Sequence, residues 1–182
     1  LVKSAADYSF NCISVEGHTS TNDTLLLLAS GAAGGENLQG EQLEQFQSAL
    51  TETCVELARR IPNDGEGATH LIVIDVTGCS DRASAKQIAQ TIADSALVKT
   101  AVTGADPNWG RIVSAAGYAG VSFDPAEVDL CINGHLLYKN GAPVDFDEAA
   151  VSTSIKDHRE THIELSVGNA AGHCRFWTSD LT

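Results

Sequence analysis

The sequence predicts a layered α/β fold, and three features of the chain lead to this prediction. Leu71 to Val76 is a short run that is apolar at every position except Asp75, and it predicts a buried strand. Before it, Glu41 to Ile61 carries apolar residues at steps of three and four, the spacing of an amphipathic helix. The last third of the chain consists mostly of strand-like runs and turn residues. At 182 residues, the chain is long enough to bury a sizeable core.

The N-terminal part predicts a helix end, a strand and a long helix. The opening "LVKSAADYSF" is typical of the tail of a helix whose beginning is missing, and residues 14–17 predict a strand or turn. Leu25 to Ala29 is apolar on all sides and predicts a buried strand. "GAAGGENLQG" lacks the G-K-[ST] ending of a phosphate loop, so we interpret it as a flexible connection. The buried stripe of the long helix is expected to contain Leu43, Phe46, Leu50, Cys54, Leu57 and Ile61.

The middle of the chain predicts a β-α-β unit followed by a further helix. Ser80 or Asp81 is expected to cap a helix, and Leu97 to Val102 predicts the next strand. Asp106 and Pro107 are then expected to form the N-cap and first position of another helix. The inner faces of the two helices are predicted to carry Ala85, Ile88, Ala89 and Ile92, and then Trp109, Ile112, Val113 and Ala116.

The C-terminal part predicts antiparallel strands joined by tight turns. Turns are expected at Asn133-Gly134 and Asn140-Gly141, and a short helix over 147–154. "THIELSVGNAAGHCRFWTSDL" predicts a closing hairpin that turns at "GNAAG". A change of domain is expected near Thr69, giving two regions, 1–69 and 70–182.

Charge and composition exclude several classes of function. The net charge is −13 with only 11 Lys plus Arg and no basic cluster, so nucleic acid and anionic membranes are poor partners. The five cysteines lie far apart without a C-x-x-C motif, which favours free thiols in a reducing cytoplasm over disulfides or zinc. The histidines lack metal-ligand spacing, so we expect no metal. No residue is Met, so we expect that Leu1 is not a translation start and that the chain is processed or a fragment.

Two loop segments carry candidate functional residues. In "DGEGAT", Glu66 stands between two glycines, which let the backbone approach a ligand and leave one carboxylate projecting. On spacing alone, a solvated turn residue is the favoured alternative. In "DPNWGR", the structural interpretation is favoured, with Trp109 anchoring the core and Arg111 pairing with an acid.

The whole chain resembles the β subunit of the ornithine acetyltransferase (glutamate N-acetyltransferase) family of arginine biosynthesis. The segments that carry the resemblance follow the family's order and spacing. They are "SFNCISVEGHTSTNDTLLLLASG", "DGEGATHLIVIDVTG", "AKQIAQTIADSALVKTAVTGADPNWGRIVSAAG" and "FWTSDLT". "TSTNDT", "DGEGAT" and "DPNWGR" are specific in combination, although each alone is weak.

The resemblance implies a fold and a reaction. The fold would be a layered αββα sandwich of the type shared with self-processing aminopeptidases, with a smaller C-terminal α+β domain. The precursor would cut itself before a threonine, and that threonine would carry acetyl from N-acetylornithine to glutamate. No cofactor is expected, although acetyl-CoA is a second substrate for some members. The expected partner is the α subunit of the same precursor, in an α2β2 heterotetramer in the cytoplasm.

The resemblance also assigns site residues, and the chain departs from a complete β subunit of the family at both of its ends. The nucleophilic threonine would lie upstream of Leu1, so no catalytic residue and no activity are expected in this chain alone. The family's C-terminal substrate contacts would follow Thr182. Glu66 matches a substrate-binding position, where a carboxylate suits an ammonium group. His70 stands where the family usually carries Lys.

The polar run before Leu25 is expected to support the active site. Turn closure by hydroxyl and Asx side chains explains one or two of these residues but not six. We expect the run to brace the adjoining strand, with direct substrate contact as the less favoured alternative. The run consists of Thr19, Ser20, Thr21, Asn22, Asp23 and Thr24.

Two other functions remain open at this point. A non-catalytic assembly module of the same fold would also lack the nucleophile, and a related self-processing aminopeptidase would pass its acyl group to water. The combination of "DGEGAT" and "DPNWGR" favours acetyl transfer.

Overall fold

The computed structural model describes residues 1–182 and contains one seven-stranded mixed sheet flanked by helices. The helices are α1 (Val2–Asp7), α2 (Gly40–Asn63), α3 (Arg82–Ala93), α4 (Ala96–Thr103), α5 (Trp109–Gly117) and α6 (Glu148–Lys156). The strands are β1 (Ile13–Ser14), β2 (Leu71–Gly78), β3 (Asp129–Ile132), β4 (His135–Lys139), β5 (Ala142–Pro143), β6 (Glu160–Ser166) and β7 (Ala170–Ser179). The strand order is β1-β7-β2-β6-β3-β4-β5. The predicted α/β class is confirmed.

Strand β2 is largely buried, as its sequence predicted, and it lies between β6 and β7 in the sheet. It runs parallel to β6 and antiparallel to β7. Ile72, Ile74 and Val76 are fully buried and belong to the same apolar cluster as residues of α3, α5 and α6. Helix α3 begins as expected, because the Asp81 side chain accepts a hydrogen bond from the amide of Ser84 at 2.8 Å.

The predicted closing hairpin is wrong, because β2 lies between its two strands. β6 and β7 both pair with β2 and not with each other. The loop that joins them crosses the end of β2, where a Cβ on Gly78 would lie 2.1 Å from the carbonyl oxygen of Gly168. Gly78 also has φ +82°, so both space and backbone favour glycine there. A sequence shows that two strands are close along the chain, but not that a third enters between them.

The predicted strand over 97–102 is wrong, since these residues form helix α4. The Ser95 side chain caps the helix by accepting a hydrogen bond from the amide of Val98. Helical spacing buries Val98, Ala101 and Val102. A short apolar run fits a strand and a buried helix equally well, and here the cap and the tertiary contacts decide for the helix.

Other local predictions are mostly confirmed. Helix α5 forms, although its N-cap is Asn108 rather than Asp106. Helix α6 begins after Asp147, as expected. Both Asn-Gly turns form with positive φ at each central residue, which is the geometry of a tight hairpin turn. The division of the chain near residue 69 stays a prediction.

The predicted strand from Leu25 to Ala29 is wrong, because these residues form no helix or strand in this chain. Leu26 and Leu28 are 71% and 87% exposed. Strand pairing needs a neighbouring edge, and both edge strands of this sheet, β1 and β5, are only two residues long.

Helix α2 forms as predicted but its apolar stripe is only partly buried. Cys54 is buried, whereas the other predicted stripe residues are half-buried or exposed. Amphipathic spacing therefore identified the helix without showing how much of its apolar face is covered. No helix of the chain has both the length and the apolarity needed to cross a membrane.

Candidate active-site loop

The candidate site is the loop that joins α2 to β2 and carries Glu66. The loop begins with a helix-ending turn, in which the amide of Gly65 donates to the carbonyl of Pro62 at 3.3 Å. It closes with a second turn, in which the amide of Ala68 donates to the carbonyl of Gly65 at 3.0 Å. Gly67 has φ +80°, a conformation that favours glycine. The turns leave the Glu66 side chain exposed, with no hydrogen bond or ion pair inside the chain.

Asp180 holds the amide side of this loop. Strands β2 and β7 pair Leu71 with Ser179, so Asp180 lies opposite His70 at the start of β2. Its Oδ1 accepts from the amides of Thr69 and His70 at 2.8 and 3.0 Å. Its Oδ2 accepts from the hydroxyls of Thr69 and Thr103 at 2.5 and 3.1 Å. The carboxylate is fully buried and satisfied by donors from the loop and from α4.

The same hydrogen-bond donors determine the protonation state of the Asp180 carboxyl group. Burial alone would raise the pKa of this carboxyl, because it disfavours the charged form. The hydrogen bonds from Thr69 and His70 outweigh that effect and hold the pKa below its ordinary value. Asp180 is therefore a carboxylate at neutral pH.

Arg159 holds the carbonyl side of the loop. Its guanidinium donates through Nη1 to the carbonyl of Ala68 at 2.6 Å and through Nη2 to the carbonyl of Asn63 at 2.5 Å. Its Nε donates to the Asn63 side chain at 3.2 Å. One rigid guanidinium thus ties Asn63, the last residue of α2, to Ala68 within the loop.

His70 is the last residue of the loop and is buried to all but 7%. Its Nδ1 is 3.1 Å from Asp180 Oδ2 and 2.8 Å from the Thr69 hydroxyl, and its Nε2 is 3.1 Å from the carbonyl of Ile155. The ring therefore links the start of β2 to the end of α6. His70 therefore has a structural role, because its ring connects these two elements.

Lys99 is a buried cation close to the same end of the sheet. Its Nζ donates to the carbonyl of Val15 at 2.7 Å, to the Thr178 hydroxyl at 2.8 Å and to the carbonyl of Ser179 at 2.5 Å. Burial lowers its pKa, and the nearby Asp94 and Asp180 carboxylates oppose this shift. Lys99 ties the beginning of the exposed 15–39 segment to the end of β7.

The last residue of the chain also lies against the loop. A Cβ on Gly65 would be 3.2 Å from the Thr182 methyl group, a contact tighter than ordinary packing. The carboxyl end of this chain and the Glu66 loop are therefore neighbours. Leu1 is far from both, because its carbonyl accepts from Gln47 at 3.4 Å, and Gln47 precedes Asn63 by sixteen residues of α2. Sixteen helical residues span about 24 Å.

The predicted support residues, Thr19 to Thr24, are all exposed in this chain. Their hydrogen bonds are local: the Ser20 hydroxyl accepts from the amides of Asn22 and Asp23 at 3.3 Å each. The Thr24 hydroxyl donates to the carbonyl of Asn22 at 3.2 Å. No strand is braced, since Leu25 to Ala29 forms none, and the role of this run in supporting an active site stays a prediction.

The segment "DPNWGR" is structural within this chain. Trp109 stacks on Tyr138 with 5.1 Å between ring centroids and packs against the core. Arg111 donates to the carbonyl of Leu97 at 3.0 Å, so its predicted pairing with an acid is wrong. The backbone acceptor is supplied by α4, which the sequence had not predicted as a helix.

Sequence reasoning found Glu66 but missed the residues around its loop. Asp180 and Arg159 lie 111 and 91 residues from their loop partners, so no local spacing relates them. An acid directly after a predicted strand, as in "FWTSDLT", was the available signal for Asp180. No group of three or more His, Cys, Asp or Glu side chains has the arrangement needed to hold a metal ion.

Comparison with known proteins identifies long relatives of the whole chain. A family model described as "ArgJ family" matches residues 1–182. The arginine biosynthesis bifunctional protein ArgJ of Rhodopirellula baltica is 45% identical over 100% of this chain and 45% of its own length. The chloroplastic ArgJ of Physcomitrium patens is 44% identical over 100% of this chain and 36% of its own length. This chain thus spans less than half the length of these relatives.

A solved structure matches the fold closely. The crystal structure of arginine biosynthesis bifunctional protein argJ from Bacillus halodurans superimposes with a TM-score of 0.95 and 37% sequence identity. The match covers 99% of this chain and 85% of that one.

Proposed function

Because this chain belongs to the ArgJ family, we propose that it forms part of an acetyltransferase of arginine biosynthesis. The enzyme moves acetyl from N-acetylornithine to glutamate through an acetyl-threonine intermediate. The threonine hydroxyl attacks the amide carbonyl of the donor, ornithine leaves, and the α-amine of glutamate then takes the acetyl group from the threonine. The threonine lies in a segment that precedes Leu1 in the precursor. Because Leu1 lies about 24 Å along α2 from the Glu66 loop, that segment runs back towards the loop in this proposal.

The proposal assigns substrate binding to Glu66. The supporting observation is a single exposed carboxylate, without a partner in the chain, on a short loop whose backbone is tied on both sides. A carboxylate in that setting is available to accept charge-assisted hydrogen bonds from an ammonium group. Both substrates carry or develop such a group, the amine of ornithine and the amine of glutamate.

The remaining parts of the enzyme are proposed from the family. The partner is the α subunit of the same precursor, in an α2β2 assembly in the cytoplasm. No cofactor is needed, because the acetyl group passes directly between threonine and the two amino acids, and acetyl-CoA is a second donor to be tested.

The test uses the full-length gene product with N-acetylornithine and glutamate. We expect formation of N-acetylglutamate and ornithine, self-cleavage, and an acetylated threonine peptide by mass spectrometry. Glu66→Gln should raise KM or lower kcat by about tenfold or more, because the binding carboxylate loses its charge. The control is Glu56→Gln, which removes an exposed carboxylate of α2 that pairs only with Arg60. Near-wild-type kinetics of Glu66→Gln would reject the assigned role, and hydrolysis without transfer would indicate an aminopeptidase-like reaction.

A further inference from the structure

We propose that Arg159 and Asp180 are positioning residues, which clamp the Glu66 loop from two sides and hold its carboxylate in the orientation that binds substrate. The inference rests on the proposed function, because it takes Glu66 as the binding group. Neither residue is assigned contact with substrate.

The two residues contact complementary backbone groups at the two ends of the loop. Arg159 donates to two backbone carbonyls, that of Asn63 at the end of α2 and that of Ala68 within the loop. Asp180 accepts from amides, those of Thr69 and His70, where the loop enters β2. The charge of each side chain therefore matches the backbone groups that it contacts. The Arg159 cation donates to carbonyl oxygens, and the Asp180 carboxylate accepts from amide N–H groups.

The clamps come from rigid elements and not from the loop itself. Arg159 directly precedes β6, and the carbonyl of Arg159 accepts from the amide of Leu71 at 2.8 Å. Asp180 directly follows β7, and its amide donates to the carbonyl of His70 at 3.1 Å. β6 and β7 are the two neighbours of β2 in the sheet, so the central strand is flanked by both clamps at its first residues.

A fixed loop matters because the loop contains two glycines and only one turn bond of its own. Gly65 and Gly67 give the backbone a wide choice of conformations, and ordering them during substrate binding costs conformational entropy. Arg159 and Asp180 already order the loop in the folded protein, so substrate binding does not lose this conformational entropy. Their loss should therefore weaken binding through Glu66 more than it slows the chemical step.

The first test is Arg159→Met in the full-length enzyme, because Arg159 is exposed and its loss should leave the protein folded. We expect KM for the amino-acid substrate to rise about tenfold with kcat changed less than about twofold. Arg59→Met is the matched control: it removes a guanidinium that pairs with the neighbouring Glu160 and does not touch the loop. Its KM should stay within about twofold of wild type. Unchanged KM in Arg159→Met, or an equal rise in both variants, would overturn the proposal.

The second test separates positioning from general structural damage. In a Glu66→Gln background, Arg159→Met and Asp180→Asn should each raise KM by less than about twofold, because the group they position is already lost. A full additional rise in that background would overturn the clamp while leaving Glu66 as the binder. Near-wild-type kinetics of Glu66→Gln alone would instead reject the proposed function of Glu66.

A readout independent of activity is amide hydrogen exchange of the full-length enzyme. Arg159→Met should accelerate exchange in the loop, residues 64–70, relative to the amides of β2. The Arg59→Met control should leave the same amides unchanged. Equal loop protection in wild type and Arg159→Met would contradict the clamp even if kinetics changed.

Discussion

Two regions of this chain are rich in polar side chains, and they differ in burial: one is buried and the other is exposed. At the start of β2, the side chains of Asp180, Thr178 and Lys99 are buried and each has several partners. In the run from Thr19 to Thr24, every residue is exposed and bonded only to close neighbours. The two sets of bonds differ in sequence separation, 77 to 111 residues in the buried cluster against two or three in the run.

The difference shows that polar composition does not decide burial. A buried polar group is tolerated only when its hydrogen bonds are met, and in the cluster the partners are supplied by β7, α4 and the loop before β2. The run has the same kinds of side chain, but it is exposed and its hydrogen bonds reach no strand or helix. Stability should therefore be sensitive to the cluster and insensitive to the run, which the following predictions test on a polypeptide of residues 1–182.

The largest effect is expected for Asp180→Ala. The substitution leaves the amides of Thr69 and His70 without their carboxylate acceptor, whereas the Thr103 hydroxyl keeps the carbonyl of Lys99. Each buried donor left unsatisfied costs about 1–3 kcal/mol, so the two amides together predict the largest loss in this series. Urea unfolding should show this loss, and a loss below about 1 kcal/mol would mean that water or other acceptors reach these groups easily.

Lys99→Met should have the next largest effect. Met keeps much of the aliphatic stem but leaves three oxygen acceptors, two carbonyls and the Thr178 hydroxyl, without the Nζ donor. Unmet buried acceptors lead us to expect a loss of about 2 kcal/mol in the free energy of unfolding. If the variant is instead as stable as wild type, burial of the cation already costs as much as its hydrogen bonds contribute.

The free energy of unfolding should depend on pH in the acidic range partly through the ionisation of Asp180. Its pKa is below the ordinary 3.8 in the folded protein and returns toward that value on unfolding. The unfolded chain therefore binds more protons, so this contribution is present above pH 3.8 and is lost as pH falls through the lower folded pKa. Acid unfolding followed by circular dichroism should show a shallower dependence below pH 4 in Asp180→Asn, roughly the range of that titration. An identical acid limb in both proteins would assign the dependence to other carboxyls.

Asn22→Ala should have the smallest effect. Its side chain is exposed and accepts only from Ser20 at 3.3 Å, so the free energy of unfolding should change by less than about 0.5 kcal/mol. Self-cleavage of the full-length protein is the companion measurement. Slower cleavage with unchanged stability of the chain would favour the active-site support that the sequence predicted, whereas unchanged cleavage would contradict it.

Local patterns in the sequence predicted most elements that depend on neighbouring residues. The cap at Asp81, the two Asn-Gly turns, helix α6 and the buried strand β2 depend on interactions within a few positions, and all were confirmed. The combination of "TSTNDT", "DGEGAT" and "DPNWGR" along the chain also predicted the family, which the comparisons confirmed.

The wrong predictions concern contacts that join distant parts of the chain. The run over 97–102 fits two kinds of element, and Leu25 to Ala29 needs a sheet edge to become a strand. The hairpin between β6 and β7 was wrong because β2, which pairs Leu71 with Glu160 of β6, lies between the two strands in the sheet.

The sequence by itself determined the α/β class, the family and the position of the candidate carboxylate, because these depend on periodicity and on short segments. Only the tertiary structure decided which polar residues are buried and what holds the Glu66 loop. The physical reason is that a buried charge is stable only with partners, and for Asp180 the two backbone amides it needs lie more than a hundred residues away.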